Sequence, residues 1–315
     1  MNSKEQYRKL CQERTDIPLF LQAWWLDATD MPWDVLLFEQ KNSIAGVYVF
    51  SYTKKLGKTI IVQPTLTQYS GPFLFYPAGA SLEEKYSLQN KAYNYFIEQL
   101  EQRGYAFLEQ NFHHSQRNHQ PFYWNGFKQT TRYTYLLENI NNMDAIWAGI
   151  SHHKRQKNIT KTKDLLQLRQ DMSIHDFYQF YQSTLQQKGA RIFYPFETLN
   201  KLYCAAKEKQ QAQILSLHDH QDNLHVALLF VWDSTSAYNL IIAINPLFKS
   251  SGATSRIVWE AMLYLQGKTQ HYDFEGSMIQ GVALKNQSFG ALQIPFHHLQ
   301  KSHSKLYSLW RMLKK

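Results

Sequence analysis

The feature that most constrains this chain is that it writes one pattern twice. Residues 35–64, VLLFEQ-KNS-IAGVYVFSYT-KKLGK-TIIVQP, set β-branched and aromatic runs between short polar turns, which predicts an antiparallel three-strand meander. Residues 212–246, AQILSLHD-HQDN-LHVALLFVWD-STS-AYNLIIAINP, repeat the order strand, polar turn, long strand, short turn, strand, proline. Ile44 aligns with Leu224 and Pro64 with Pro246, offsets of 180 and 182 residues. Helical segments precede each meander. A loop, a helix and a short strand follow it, SLEEKYSLQNKAYNYFIEQLEQRG then YAFLEQN in the first half, SGATSRIVWEAMLYLQGK then HYDFEG in the second. Each half closes on a Gly–Phe or Phe–Gly pair leading into extended chain. A period this long is no solenoid. Two related domains are expected, residues 1–145 and 146–315, divided where Asn and Asp break the periodicity at ENINNMDA, 138–145. The fold class is α/β (α+β), each domain a mixed, mostly antiparallel sheet flanked by helices.

With 315 residues, 44% hydrophobic and 15% aromatic, the chain can bury two cores. Cys11 and Cys204 are too few for a disulfide framework and lack metal-ligand spacing. The opening MNSKEQYRKLCQERTD has no apolar centre, so no leader is expected there. No apolar run approaches the ~20 residues of a membrane-spanning helix. These features predict a cytoplasmic protein with no membrane span. The histidine groups (113/114/119, 218/220/225 and 297/298/303) have no zinc-type spacing, so no metal is expected.

The net charge of +9 favours polyanionic partners or phosphate-bearing substrates. Much of it sits in HHKRQKNITKTK, residues 152–163, and in the tail KSHSKLYSLWRMLKK. A solvated basic helix face explains 152–163 as well as a phosphate site does. In the tail, Leu306, Leu309, Trp310 and Leu313 fall at helical spacing, which predicts a C-terminal amphipathic helix packed on the body.

The element order resembles the GNAT acyltransferase superfamily, and two such domains in one chain resemble its Fem-type, peptidoglycan-bridge aminoacyltransferase-like subgroup. The resemblance spans essentially the whole chain. It rests on YSGP at 69–72, IWAGISHHKRQKNITKTK at 146–163 and YDFEGSMIQGVALKNQSFGA at 272–291. It implies an N-acyltransferase that moves an acyl group from a coenzyme A thioester or an aminoacyl-tRNA to an amine acceptor such as a cell-wall precursor. It also implies that Arg155 and Lys157 contact the donor, and that Tyr69, Gly71 and Lys285 serve the acceptor. The subgroup has an aromatic–Lys pair before the last Phe–Gly; here Lys285 stands one place early and Asn286 takes the lysine's place.

In such a fold, the loop before the helix that follows the meander presents backbone N–H groups and a helix N-terminus to a pyrophosphate. The second half supplies KSSGATSR, without an acid, so Ser251, Gly252, Ala253 and Thr254 are the candidate donor residues. The first half supplies GASLEEKYS, whose Glu83 and Glu84 repel phosphate, which marks it as the degenerate, acceptor-side half. Asp273 and Glu275 are two apart on an expected strand and so share one face. That makes them candidates for taking the amine's proton; capping and ion pairing are their structural alternatives. Trp24, Trp25 and Trp33 are expected to shape the acceptor cleft. A catalytically silent scaffold and a basic nucleic-acid-binding protein remain as other functional classes.

Overall fold

The computed structural model describes residues 2–55 and 57–313. In chain order the helices and strands begin α1 (Ser3–Glu13), α2 (Ala23–Ala28), β1 (Trp33–Gln40), β2 (Ser43–Lys55), β3 (Lys58–Val62), β4 (Gly71–Leu74), α3 (Leu82–Arg103) and β5 (Phe107–Asn111). They continue α4 (Gln120–Trp124), β6 (Lys128–Leu137), α5 (Met143–Gly149), a π-helical turn (His152–Gln156), α6 (Lys157–Thr162), β7 (Gln167–Arg169), α7 (Ile174–Gln186) and α8 (Phe196–Glu208). The rest are β8 (Ala212–His218), β9 (Leu224–Trp232), β10 (Ser236–Ile244), α9 (Ala253–Leu265), β11 (His271–Asp273), α10 (Gln280–Gln287), β12 (Leu292–Ser302) and α11 (Lys305–Leu313).

Two compact units result: residues 1–132 with 295–315, and residues 133–294. The cut therefore falls inside β6 rather than at 138–145, and the last strand and helix group with the first unit. Pairing within each unit gives the reason. In the first, β1–β2–β3 form the antiparallel meander, β3 pairs in parallel with β5, and β5 pairs antiparallel with β12. In the second, β8–β9–β10 form the meander, β10 pairs in parallel with β11, and β11 pairs antiparallel with β6. Each parallel step is bridged by a long helix, α3 or α9, as a parallel pair requires. The strand closing each sheet thus comes from the other half of the sequence.

Local chemistry accounts for the elements. The β1–β2 turn is Lys41–Asn42, both at positive φ (51° and 59°), the geometry that matches strand twist in a two-residue hairpin. The β8–β9 turn is organised by Asp219, whose carboxylate accepts from the Gln221 and Asn223 amides. β9 is buried from His225 to Trp232, so its hydrophobic run has both faces covered. α9 lays Ile257, Val258, Ala261, Met262 and Leu265 against Leu215, Leu217, Val226, Leu228 and Phe230. In the first unit α3 packs Tyr93, Phe96, Ile97 and Leu100 with Tyr48, Phe50 and Leu108.

α11 differs from the expected apolar stripe. It buries Tyr307 against Phe107, ring centroids 5.3 Å apart, and ties Arg311 to Glu109 at 2.8 Å. Leu306 stays 76% exposed and Leu309 53%. The side chains of Trp310 and Leu313 lie outside the described residues. Among the described residues no helix is long and apolar enough to cross a membrane.

Candidate active site

In the second unit α9 starts on Gly252, whose φ of 91° is left-handed and natural only to glycine. No side chain caps this helix and no acid stands in its first turn; Ser251 Oγ accepts from the Ala253 amide at 3.2 Å. The neighbouring α6 presses close, for a Cβ at Gly252 would lie 3.1 Å from Asn158 Cβ and 3.2 Å from Thr162 Cγ2. From the π-helical turn, Arg155 donates through Nε to Ser288 Oγ (2.7 Å) and through Nη1 to Ser255 Oγ in the first turn of α9 (3.1 Å). Its guanidinium also lies over the Phe289 ring at 5.1 Å. The structure thus brings Arg155 to the loop of Ser251, Gly252, Ala253 and Thr254. Lys157 begins α6 with its side chain exposed, and Arg256 is committed to Glu260 rather than to the loop.

Lys285, on α10, is half-buried and pushed down to about 8, by burial first and then by the positive charges of Arg155 and Lys188. Burial likewise depresses Arg155. Among the described residues no carboxylate pairs with any of these three cations. The α3 N-terminus in the first unit is the opposite case. Ser81 and Glu84 close a capping box there: Ser81 N donates to Glu84 Oε2 (2.7 Å), and Glu84 N to Ser81 Oγ (3.2 Å). The chain fills one helix N-terminus with its own carboxylate and sets Arg155 against the first turn of the other.

At the edge of the same unit, β10 and β11 pair only from Ser236↔His271 to Tyr238↔Asp273. β10 then shifts register against β9 between Tyr238 and Ile241 and runs on to Ile244, while β11 stops. Backbone groups beyond Tyr238 are therefore released from the parallel ladder at the point where Asp273 ends it. Asp273 is 1% exposed and accepts from Thr134 Oγ1 and, at 2.7 Å, from the Glu275 amide.

The expected alternation stops there. Glu275 lies past the strand at a left-handed φ of 54°, its backbone N–H donating to the Asp273 carboxylate, so the two carboxylates are neighbours through a turn rather than along one strand face. Gly276 follows because the backbone of Tyr133 leaves no room; a Cβ would come within 2.1 Å of its carbonyl oxygen. Burial pushes Asp273 up to about 6, opposed by its two hydrogen bonds. Burial and the adjacent Asp273 charge hold Glu275 well above the usual carboxylate range. Glu275 Oε1 and Tyr272 Oη are buried without a protein partner. Tyr272 and Phe274 pack edge-to-face in the core, 5.1 Å apart.

Tyr69 and Gly71 belong to the first unit. Tyr69 is 4% exposed, edge-on to Phe20 and His113, and Gly71 (φ 91°) clears the Phe112 ring, which a Cβ would meet at 2.6 Å. Trp25 and Trp33 are buried there too, donating to Thr67 (3.0 Å) and Asp27 (3.0 Å), so they serve that core rather than a cleft wall. Lys285 is coupled instead to Arg155, at the α9 end of the second unit. Sequence reading missed Thr134, Ser255, Ser288 and Lys188. All four contribute through contacts distant in sequence, and none carries a local pattern. Among the described residues no group of three His, Cys, Asp or Glu side chains is placed to hold a metal ion.

No protein-family model and no curated protein matches the sequence. Solved structures do. FemX superposes over 100% of this chain and 99% of its own with a TM-score of 0.69 at 12% identity. The chain has a Fem-like, tandem GNAT fold. A tandem GNAT protein from the clavulanic acid biosynthesis pathway matches 96% of this chain and 96% of its own, TM-score 0.55 at 8% identity. The C-terminal domain of an Agrobacterium fabrum protein assigned as a lysylphosphatidylglycerol synthetase matches 99% of this chain and 96% of its own, TM-score 0.57 at 9% identity. Within this Fem-like fold, the uncapped α9 N-terminus and the β10–β11 opening fall in the second repeat, and the self-capped α3 in the first.

Proposed function

We propose that this chain is an N-acyltransferase whose second unit holds the acyl donor and whose Asp273–Glu275 turn serves the amine. The carrying observation is the contrast between the two helix N-termini: α3 capped by Glu84, α9 uncapped and bonded through Ser255 to Arg155. A donor pyrophosphate fits α9 because Gly252 brings no Cβ against Asn158, and the N–H groups of the first turn carry partial positive charge. Coenzyme A thioesters and aminoacyl-tRNA both offer phosphates to such a site; the resemblance of the sequence motifs to the Fem-type subgroup is what points to a cell-wall amine as acceptor. Lys285 belongs with the donor in this reading, because it shares its electrostatic neighbourhood with Arg155.

The chemistry follows from the strand end. A donor carbonyl seated in the β10–β11 opening meets backbone N–H groups that no longer serve the ladder, and these stabilise the oxyanion formed when the amine attacks. Holding amine and carbonyl together supplies much of the rate. The amine's proton passes to the Asp273–Glu275 pair, of which Asp273, with two donors, ionises first; collapse of the tetrahedral intermediate then breaks the acyl bond to the carrier, which leaves as the free thiol or tRNA hydroxyl carrying that proton.

The test is steady-state transfer of a labelled acyl group to an amine by Asp273→Asn and Glu275→Gln. A fall in kcat of about 10²-fold in at least one variant, with melting temperature not lowered, is expected of a proton acceptor. A raised KM at constant kcat would reassign the pair to holding the acceptor's ammonium. Unchanged kinetics in both would remove it from the reaction.

A further inference from the structure

We propose that the first unit carries a second anion site, for a small diphosphate-bearing ligand, in the cleft between β5, β6, β12 and α11. The cleft measures about 660 Å³, within the range of small-molecule sites. Its floor is polar where a sheet face under a helix is ordinarily apolar. The charges there divide into a balanced set and an unbalanced one. Glu109 is fully engaged, accepting from Arg311 Nη2 (2.8 Å) and Gln300 Nε2 (2.7 Å) and lying 3.2 Å from His298 Nε2. Lys301 turns away to Glu101 (2.7 Å) and the Asn125 carbonyl (2.8 Å).

Arg132 and Lys128 remain. Arg132 is half-buried, yet its best contacts are Asn111 Oδ1 and His298 Nε2, both at 3.5 Å, and that same Nε2 already has Gln300 Nε2 at 2.8 Å. Among the described residues no carboxylate pairs with Arg132 or Lys128. A half-buried guanidinium gains from an anion, because its lost hydration is otherwise uncompensated. The two cations are four residues apart on β6, so they share a face, and their Cα atoms are separated by roughly 13 Å of strand. Both line the cleft, and two cations on one face offer a charge to each phosphate of a ligand that carries two. The Ser302 and Ser308 hydroxyls, 2.7 Å apart, border the same cleft and add donors. The site is independent of the transferase reading, since every residue in it belongs to the first unit.

Calorimetric titration of the full chain with inorganic pyrophosphate tests it. Because the α9 site would take the same probe, the titration is done in a Thr254→Glu background, where a carboxylate replaces the donor phosphate. One bound pyrophosphate is expected there, weakened at least tenfold by adding Lys128→Gln or Arg132→Gln, with orthophosphate at least tenfold weaker than pyrophosphate. Lys128 is exposed and among the described residues has no carboxylate partner, so its variant tests binding without disturbing folding. Absence of binding in the Thr254→Glu chain, or binding indifferent to both added substitutions, overturns the site. Equal affinity for orthophosphate overturns the diphosphate assignment.

Discussion

Asp273 shows how one residue joins stability to chemistry. Its carboxyl is buried and raised to about 6, so across the range from about pH 4 to above 6 the folded state holds a proton that the unfolded chain releases. A raised acid stabilises fully below its unfolded value of 3.8, and that stabilisation is lost as pH rises through 6. At pH 8 the charged form then costs roughly 3 kcal/mol relative to an unperturbed carboxyl. Asparagine keeps an oxygen for Thr134 and the Glu275 amide but carries no charge. Asp273→Asn should therefore be the more stable protein at pH 8, with the difference shrinking toward zero near pH 4. Melting curves across that range check this, and a difference that widens as pH falls would contradict the assignment. Glu275, raised in the same direction, was not legible as a turn residue. Alternation placed it on the strand, and nothing in HYDFEGS reveals that the Tyr133 backbone blocks straight continuation.

Among the elements, the meanders and the two long helices were legible because their signals are local: β-branched runs, polar turns, a capping box at Ser81. The origin of the closing strands was not. Sequence order placed KQTTRYTYLL at the end of the first half and LQIPFHHLQKS at the end of the second, whereas pairing distant in sequence assigns β12 to β5 and β6 to β11. The same limit hid Ser255 and Ser288, which hold Arg155 from 100 and 133 residues away. One consequence is measurable. A fragment of residues 1–145 lacks β12, Leu299 and the Tyr307 that seals Ile60 and Phe107. It should not unfold cooperatively, whereas residues 1–132 joined by a flexible linker to 295–315 should. A sharp thermal transition in the 1–145 fragment would show that β12 is dispensable.

For the molecule as a whole, duplication followed by divergence at two helix N-termini organises the account. One copy spends its N-terminus on its own carboxylate; the other leaves it open beside Arg155. Gly252→Glu is a poor probe of that difference, because any side chain at φ 91° is strained and would crowd Asn158 and Thr162. Thr254→Glu is better, for a carboxylate in the first turn favours the helix while repelling a phosphate. The most direct test of the central claim is calorimetric binding of the acyl carrier, coenzyme A in one titration and aminoacyl-tRNA in another. It compares the native chain with Thr254→Glu and with the first-unit control Ala80→Glu. One carrier should bind the native chain and Ala80→Glu alike, and Thr254→Glu should weaken that binding at least tenfold. Failure of both carriers to bind, or equal loss in the two variants, would contradict the claim.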